Sequence, residues 1–258
     1  MTDISATPPA TAPTPEAPPT TTTTQDKRVV LRWGTADATS RRTMADTLAD
    51  HLVRTGAVQL RPRDFFAFPK FTTPAYCDLR LALGDVGARH AIAEALAAAI
   101  RTRFLAGGAE TDATVITIVG VATGGIAYAT GVADRLGLPL AYVRAAPKDH
   151  GKGKRVEGGL PVGGRCVVVD DVLGTGAAAL DAVRALKDYG ATVLGVCAIF
   201  SYDFDTLLDN VGAAEVPFVR LVDFAATIDR AQASGAIDPV GGDIVRAWYS
   251  HRSTWRSA

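Results

Sequence analysis

Apolar residues in this chain alternate between short β-branched runs and longer stretches with helical spacing. Met44, Leu48 and Leu52 recur every four residues, which predicts a helix that begins near residue 37 and stops at Gly56. The same spacing predicts a long helix over 86–105. Further helices are predicted over 126–136, 177–189, 224–233 and 239–249, and strands over 57–60, 115–119, 138–143, 167–169, 193–200 and 218–222, with an edge strand after Pro74.

The order of these elements predicts an α/β fold. Strands and helices alternate through the centre of the chain, which is typical of a mostly parallel sheet covered by helices on both faces. A polar, glycine-rich loop is expected over 144–164. Because ligands of such sheets bind beyond the carboxyl ends of the strands, the loops after these strands are the first places to look for chemistry.

The N-terminal stretch differs from the rest in composition. Residues 1–27 consist mostly of Thr, Pro, Ala and Ser, and they carry too little apolar surface to offset their ordering entropy. We expect a disordered tail over 1–27 and a single domain over 28–258. A transit peptide is disfavoured because no arginine precedes Arg28 and because Asp3 and Glu16 are acidic.

Charge and cysteine content narrow the class of protein. The chain has 27 basic and 27 acidic residues, so nothing in its overall charge indicates a nucleic-acid or membrane partner. No apolar run reaches the roughly 18 residues needed to span a bilayer. The three cysteines are scattered without metal-ligand spacing, as expected of reduced thiols in a cytoplasmic protein.

One segment combines a strand, two carboxylates and a helix start. Val167–Val169 lead into Asp170 and Asp171, and a glycine-bracketed turn then opens an alanine run. A helix N-terminus offers free N–H groups to a phosphate, and the carboxylates can accept hydrogen bonds from sugar hydroxyls. An ordinary acidic strand end accounts equally well for these residues taken alone. No further ligand stands at metal spacing, so any Mg²⁺ is expected to arrive with a substrate.

Two other loops have compositions that suit anions. The loop 121–126 follows a strand and opens a helix with two glycines, which a tight turn also requires. The loop 144–155 holds three of the six lysines of the chain, together with Arg144, Arg155 and His150. A solvated basic loop is the ordinary interpretation, but the concentration of lysine between two core strands favours a loop that handles an anion.

Four motifs, in order, resemble the orotate phosphoribosyltransferase family of type I phosphoribosyltransferases. Residues 167–178 resemble the motif that binds phosphoribosyl pyrophosphate (PRPP). Residues 73–80 resemble the segment Ser-Pro-x-Tyr-x-Asp-x-Arg, and residues 144–151 resemble the catalytic loop that ends Lys-Asp-His-Gly. Residues 198–202, with the ending around Trp248 and Trp255, are similar to one bacterial branch. The resemblance covers about residues 35–255.

The resemblance implies a type I phosphoribosyltransferase-like fold, with a small hood built from N- and C-terminal segments. It also implies Mg²⁺ as cofactor, and a homodimer whose catalytic loop is shared across the interface. The implied catalytic residues are Arg144, Lys148, His150 and Asp171. The implied PRPP-binding residues are Thr123, Gly124, Asp170, Asp171, Val172, Leu173, Gly174, Thr175, Gly176, Ala177 and Ala178, and the implied orotate-binding residues are Lys70, Tyr76 and Tyr202.

Several positions depart from the family pattern. Ala145 and Ala146 stand where the loop usually has another lysine, and Thr175 is the single hydroxyl residue of the phosphate loop. Lys70-Phe71 replaces a Ser-Gly, and Tyr202 stands where another branch has an arginine. Two alternatives therefore stay open: a regulatory homologue that binds PRPP or a nucleotide with weakened catalysis, and a phosphoribosyltransferase for another base.

Overall fold

The computed structural model describes residues 30–32, 38–68, 71–105, 115–147 and 154–251. The predicted tail over 1–27 lies outside the described residues. In chain order the elements are β1 (Val30–Arg32), α1 (Ala38–Arg54), β2 (Val58–Leu60), β3 (Phe66–Phe68), β4 (Phe71–Thr73), β5 (Ala75–Cys77), α2 (Val86–Ile100), β6 (Ile116–Val121), α3 (Gly124–Leu136), β7 (Leu140–Val143), β8 (Val156–Gly158), β9 (Arg165–Leu173), α4 (Ala177–Asp188), β10 (Thr192–Ser201), α5 (Asp205–Ala214), β11 (Phe218–Asp223), α6 (Phe224–Ala233) and α7 (Pro239–Ser250).

The main sheet confirms the predicted α/β class. In the described ranges it has seven strands in the order β1-β11-β10-β9-β6-β7-β8. Every neighbouring pair is parallel except the edge pair of β7 with β8, which is antiparallel. The carboxyl ends of β6, β7, β9 and β10 consequently share one edge of the sheet.

Both faces of the sheet are buried, as the unbroken apolar runs require. In β9, Val167 and Val169 belong to the core cluster on one face, whereas Cys166 and Val168 belong to the cluster on the other. Helices α2 and α3 cover the first face, and α4 and α5 cover the second. Because successive strand residues point to opposite faces, a strand covered on both sides shows a continuous apolar run rather than alternation.

A hood joins the two ends of the described chain. It contains two small antiparallel pairs, β2 with β5 and β3 with β4. Helix α1 packs against α6, and Arg230 of α6 donates to Asp50 of α1 at 2.7 Å. Arg63 forms an ion pair of 2.7 Å with Asp238, the N-cap of α7. N- and C-terminal segments thus build the hood together, as the resemblance implies.

The predicted element list was wrong or incomplete at several places. The short strand β8 lies inside the stretch that we predicted as loop, and α5, β1 and the β3–β4 hairpin were not predicted. Strand β9 runs on to Leu173, so Asp170 and Asp171 lie within the strand rather than after it. Short edge strands such as β8 have too few residues for a two-residue pattern to be visible. In the part of the chain that the structure describes, no helix is long and apolar enough to cross a membrane.

Candidate active site

Segments that follow three parallel strands meet at the carboxyl edge of the sheet. Thr123 and Gly124 follow β6 and open α3, and the peptide bond between Ala122 and Thr123 is cis. The acidic pair lies on β9, which is the direct neighbour of β6. Arg144 follows β7, the neighbour of β6 on the other side. The parallel topology therefore brings two of the four sequence motifs, together with the loop 121–126, to one side of the molecule.

Gly124 lies directly against the acidic pair. A Cβ atom built on Gly124 would be 2.1 Å from Oδ2 of Asp171, and one built on Gly125 would be 2.5 Å from the carbonyl oxygen of Val169. A side chain at Gly125 would push α3 away from the backbone of β9, whereas one at Gly124 would displace the Asp171 carboxylate. The candidate pyrophosphate loop and the candidate ribose-binding carboxylates are thus in van der Waals contact.

The two aspartates differ in environment. Asp170 is only 4% exposed, and its Oδ1 accepts a hydrogen bond of 2.9 Å from the backbone N–H of Asp171. Burial, together with the neighbouring charge of Asp171, raises the pKa of Asp170 well above its ordinary value. Asp171 is half-buried, and its Oδ1 accepts from the N–H of Val172 at 3.0 Å. Asp171 is therefore the more accessible hydrogen-bond acceptor of the two.

The turn after β9 presents backbone rather than side chains. Gly176 is the N-cap of α4 in a left-handed conformation (φ 75°), and as a glycine it has no side chain with which to cap the helix. The hydroxyl of Thr175 accepts from the N–H of Ala177 at a long 3.4 Å. Asn210 of α5, which the sequence motifs did not indicate, donates to the carbonyl oxygen of Thr175 at 2.9 Å and braces the turn. The uncapped N–H groups of α4 form a ready anion site.

Of the other predicted PRPP contacts, Val172 and Leu173 serve mainly the core. Leu173 is 1% exposed, and Val172 is half-buried against the core cluster that includes the hood residues. Ala177 and Ala178 are exposed at the start of α4, where their N–H groups can be reached. Gly174 has open space around it, because a Cβ atom there would meet no atom of the described residues within 4 Å. The chain therefore offers its phosphate site chiefly through 174–178.

The hood brings its own motif close to the carboxylates. Asp78 caps the 3₁₀ turn over 79–84 and pairs with Arg80 at 2.7 Å, which lowers the pKa of Asp78. Burial raises the pKa of the Cys77 thiol, and the negative charges of Asp171 and Asp78 raise it further. The hydroxyl of Tyr128 on α3 donates to the carbonyl oxygen of Leu79 at 2.5 Å. Residues 76–80 are thereby fixed beside the acidic pair.

An open cavity of ≈ 430 Å³ lies at Tyr76. Its aromatic wall brings the ring centres of Phe66 and Phe68 within 5.7 Å and 5.9 Å of the Tyr76 ring. The guanidinium of Arg61, which the sequence motifs did not indicate either, lies 4.4 Å from the centre of the Phe66 ring. Aromatic faces next to a cation suit a planar anionic base. Lys70, predicted to contact the base, lies outside the described residues.

Tyr202 follows β10 and belongs to an aromatic cluster. Its ring stacks on Phe204 with centres 4.9 Å apart, and the ring of Phe200 approaches edge-on at 5.0 Å. Tyr249 of α7 donates to the Tyr202 carbonyl oxygen at 2.9 Å. Burial raises the pKa of the Tyr202 hydroxyl, and nearby Cys77 and Tyr76 raise it further. The structure thus brings Tyr202 and Tyr76, two predicted base contacts, into one neighbourhood.

Arg144 lies half-buried at the end of β7. Its backbone N–H donates to the carbonyl oxygen of Arg155 at 2.9 Å, and Nε of Arg155 donates back to the Arg144 carbonyl oxygen at 2.9 Å. The side-chain nitrogen Nη1 of Arg144 is buried and has no hydrogen-bond partner among the described residues. Lys148 and His150, the other predicted catalytic cations, lie outside those residues.

The described residues hold no group of three or more His, Cys, Asp or Glu side chains that could bind a metal ion. The acidic pair alone provides two oxygen-bearing side chains, one of them buried. Mg²⁺ usually keeps several waters and binds proteins through one or two carboxylates plus substrate phosphates. The site is therefore compatible with Mg²⁺ only if a substrate supplies most of the ligands.

Comparisons with known proteins agree with this geometry. Residues 84–226 match the family model of the phosphoribosyl transferase domain. The chain is 40% identical to the orotate phosphoribosyltransferase of Bacillus caldolyticus over 83% of its own length and 100% of that relative. Among solved structures, the orotate phosphoribosyltransferase from Aeropyrum pernix has a TM-score of 0.56 at 30% identity, covering 74% of this chain and 99% of that one. A UMP synthase from Leishmania donovani has a TM-score of 0.66 at 21% identity, covering 80% of this chain and 42% of that longer one.

Proposed function

The chain belongs to the orotate phosphoribosyltransferase family, and we propose that the residues described above transfer the 5-phosphoribosyl group of PRPP to orotate. In this reaction of pyrimidine biosynthesis, a ring nitrogen of orotate loses its proton to solvent or to the departing pyrophosphate and forms a bond to C1 of the ribose. The bond from C1 to pyrophosphate breaks, and its electron pair leaves with the pyrophosphate. The contact of Gly124 with Asp171, beside the uncapped start of α4, is the observation that best supports a PRPP site.

On the phosphosugar side, Asp170 and Asp171 accept hydrogen bonds from the ribose 2- and 3-hydroxyls. Asp171 provides the more accessible of the two carboxylates. The N–H groups over 174–178 bind the 5-phosphate at the positive end of the α4 dipole. Because the donors are backbone groups, the missing hydroxyl side chains of this loop do not remove the phosphate site.

On the leaving-group side, Thr123 and Gly124 border the pyrophosphate, and Arg144, Lys148 and His150 supply positive charge. The ribose gains oxocarbenium character as the bond breaks, while negative charge grows on the pyrophosphate. Cations at that position act mainly in the transition state. We expect Lys148→Ala to lower kcat by about a thousandfold, the usual consequence of losing one such contact.

Mg²⁺ is proposed to arrive with PRPP and to stay bound mainly through PRPP oxygens and water. When bound, the ion supplies charge that offsets the charge of the pyrophosphate. Asp171 is the accessible carboxylate of the acidic pair, and it can approach the ion or its waters. Orotate is proposed to occupy the region between the cavity at Tyr76 and the aromatic cluster of Tyr202.

A single assay tests the proposed function. Orotate absorbance is followed with PRPP in the presence and absence of Mg²⁺, and we expect turnover only with the ion. No turnover at millimolar substrates would contradict the proposal. Tight PRPP binding without product, measured by calorimetry, would instead support the regulatory alternative that Ala145, Ala146 and the sparse hydroxyls leave open. A panel of purine and pyrimidine bases in the same assay tests whether orotate is the base.

The proposal includes a cytoplasmic homodimer whose catalytic loop reaches across the interface. Two impaired variants, Lys148→Ala and Asp171→Asn, are mixed under conditions that exchange subunits and are assayed at PRPP well below the dissociation constant of Asp171→Asn, where both are nearly silent. If the loop acts in trans, each mixed dimer regains about one active site of its two, because one site then carries neither change. A monomer by sedimentation, or no recovery despite subunit exchange, would contradict the shared site.

A further inference from the structure

An ion pair outside the predicted site connects its two phosphate-handling parts. Arg155, the residue before β8, donates through one terminal nitrogen to Oδ2 of Asp181 on α4. Helix α4 is the helix whose start carries the candidate 5-phosphate site. Arg155 also exchanges two hydrogen bonds of 2.9 Å with the backbone of Arg144. One residue thus ties Arg144, on the leaving-group side, to the phosphate helix.

The bonds of Arg155 are partly protected from water. The Arg155 side chain is 22% exposed and that of Asp181 39%, so the pair is shielded on one side. The guanidinium of Arg155 lowers the pKa of Asp181, which stays charged. A planar guanidinium can serve a carbonyl oxygen with Nε and a carboxylate with a terminal nitrogen at once, which a lysine cannot do.

The backbone bonds from Arg155 matter because the side chain of Arg144 is half-buried. Its Nη1 atom is buried without a hydrogen-bond partner among the described residues, although leaving a charged donor unsatisfied is costly. A cation kept in that condition at the carboxyl edge of the sheet is prepared to meet an anion. It can do so most effectively if the backbone of Arg144 is already held in place before the anion binds.

We propose that Arg155 and Asp181 are positioning residues that hold Arg144 for the leaving pyrophosphate and couple it to the helix that binds the 5-phosphate. This inference rests on the proposed function, since it concerns the same PRPP site. Neither residue is assigned a contact with substrate. The pair acts through the backbone of Arg144, and PRPP, which has a phosphate at each end, spans the two elements that the pair joins.

Steady-state kinetics of the full-length protein test the positioning role of Arg155 and Asp181. Arg155→Ala and Asp181→Asn are each expected to lower kcat/KM for PRPP by about tenfold to a hundredfold, as small displacements of catalytic groups do, while KM for orotate stays within about twofold. Arg155→Lys keeps the charge but cannot make both sets of bonds, so it should restore only part of the loss. Equal changes in KM for both substrates would contradict a role confined to the PRPP site.

Two matched variants separate positioning from general destabilisation. Arg184→Ala removes the other partner of the same carboxylate, an exposed contact of 3.4 Å, and should change kcat/KM by less than about twofold. Arg230→Ala removes a comparable arginine–aspartate pair in the hood. If Arg230→Ala lowers kcat/KM for PRPP as much as Arg155→Ala does at equal thermal stability, the inference is overturned.

The decisive measurement uses Arg144 itself. In an Arg144→Gln background, adding Arg155→Ala should lower kcat/KM for PRPP little further, because the guanidinium that Arg155 positions is already gone. Additive losses would overturn the inference. Calorimetry with PRPP alone keeps this outcome separate from failure of the proposed function. If wild type does not turn over orotate but binds PRPP, weaker PRPP binding by Arg155→Ala and not by Arg184→Ala still supports the pair, and equal binding rejects it.

Discussion

The two halves of the candidate site are built by different means. The phosphate half runs from β9 through the turn to α4. Its two carboxylates, its glycines and its backbone N–H groups all lie within the nine residues 170–178. The base half uses side chains from the hood strands β2, β3 and β5 and from the segment after β10, which is distant from them in sequence. A backbone-built site has little freedom to change, whereas a side-chain-built one can be altered residue by residue. Phosphate recognition should therefore be rigid and base recognition adjustable.

Gly125→Ala should break the phosphate half most severely. The added Cβ would lie 2.5 Å from the carbonyl oxygen of Val169, and strand backbone cannot yield as a flexible side chain can. We expect kcat/KM for PRPP to fall by at least about a hundredfold because α3 must shift from β9. Gly84→Ala is the control, since its Cβ would meet no atom of the described residues within 4 Å. Activity of Gly125→Ala within about threefold of the control would contradict the close packing.

Asp171→Asn should weaken PRPP binding while leaving the fold intact. The change keeps the size of the side chain but removes charge from bonds to sugar hydroxyls, each of which contributes about 1.5–3 kcal/mol. PRPP affinity should fall by about tenfold to a hundredfold, and KM for orotate should stay constant. Calorimetry and steady-state kinetics check this. An unchanged dissociation constant for PRPP would remove Asp171 from the site.

Tyr202→Phe sharpens the comparison from the base side. The variant keeps the ring packed on Phe204 and loses only the hydroxyl. If that hydroxyl contacts the base, KM for orotate should rise about three- to tenfold, the value of one ordinary hydrogen bond, without effect on PRPP. Tyr189→Phe, whose hydroxyl donates to the Leu160 carbonyl oxygen, is the control. Equal KM values for orotate would show that Tyr202 serves packing alone.

The free energy of unfolding should depend on pH because Asp170, in the phosphate half, is buried. The pKa of Asp170 is raised in the folded state, so the protein favours the protonated form more than the unfolded chain does. The contribution of Asp170 to the free energy of unfolding is therefore fully present below about pH 4, the pKa of an aspartate in the unfolded chain. It is lost as the pH rises through the raised pKa of Asp170 in the folded protein. Asp170→Asn should remove that decline, which amounts to about 1.4 kcal/mol for each unit by which the pKa is raised.

Urea unfolding at pH 5 and pH 8 measures this effect, with the exposed Asp188→Asn as control. The gain in stability of Asp170→Asn over wild type should be larger at pH 8 than at pH 5, or equal if the folded pKa lies below 5. A gain that shrinks with rising pH has the wrong sign and would refute the raised pKa.

Much of the phosphate half could be predicted because the residues that form it are adjacent in the sequence. The run of β-branched residues into Asp170 and Asp171, followed by the glycine turn, specified a strand, an anion site and a helix start within one window. The match of the chain to the PRPP motif then supplied roles for the same residues. Even there, the difference between the buried Asp170 and the accessible Asp171 required the packing of Gly124 and α3 against β9.

The base half and the Arg155–Asp181 pair could not be found in this way. Tyr249 meets Tyr202 only because α7 packs back against the segment after β10, and Asp181 meets Arg155 only because α4 packs against β7. By itself the sequence determined the α/β class, the order of most elements and the phosphate motif, because these depend on near neighbours in the chain. The tertiary structure decided which distant side chains meet, since their contacts follow from the order of strands and not from their spacing.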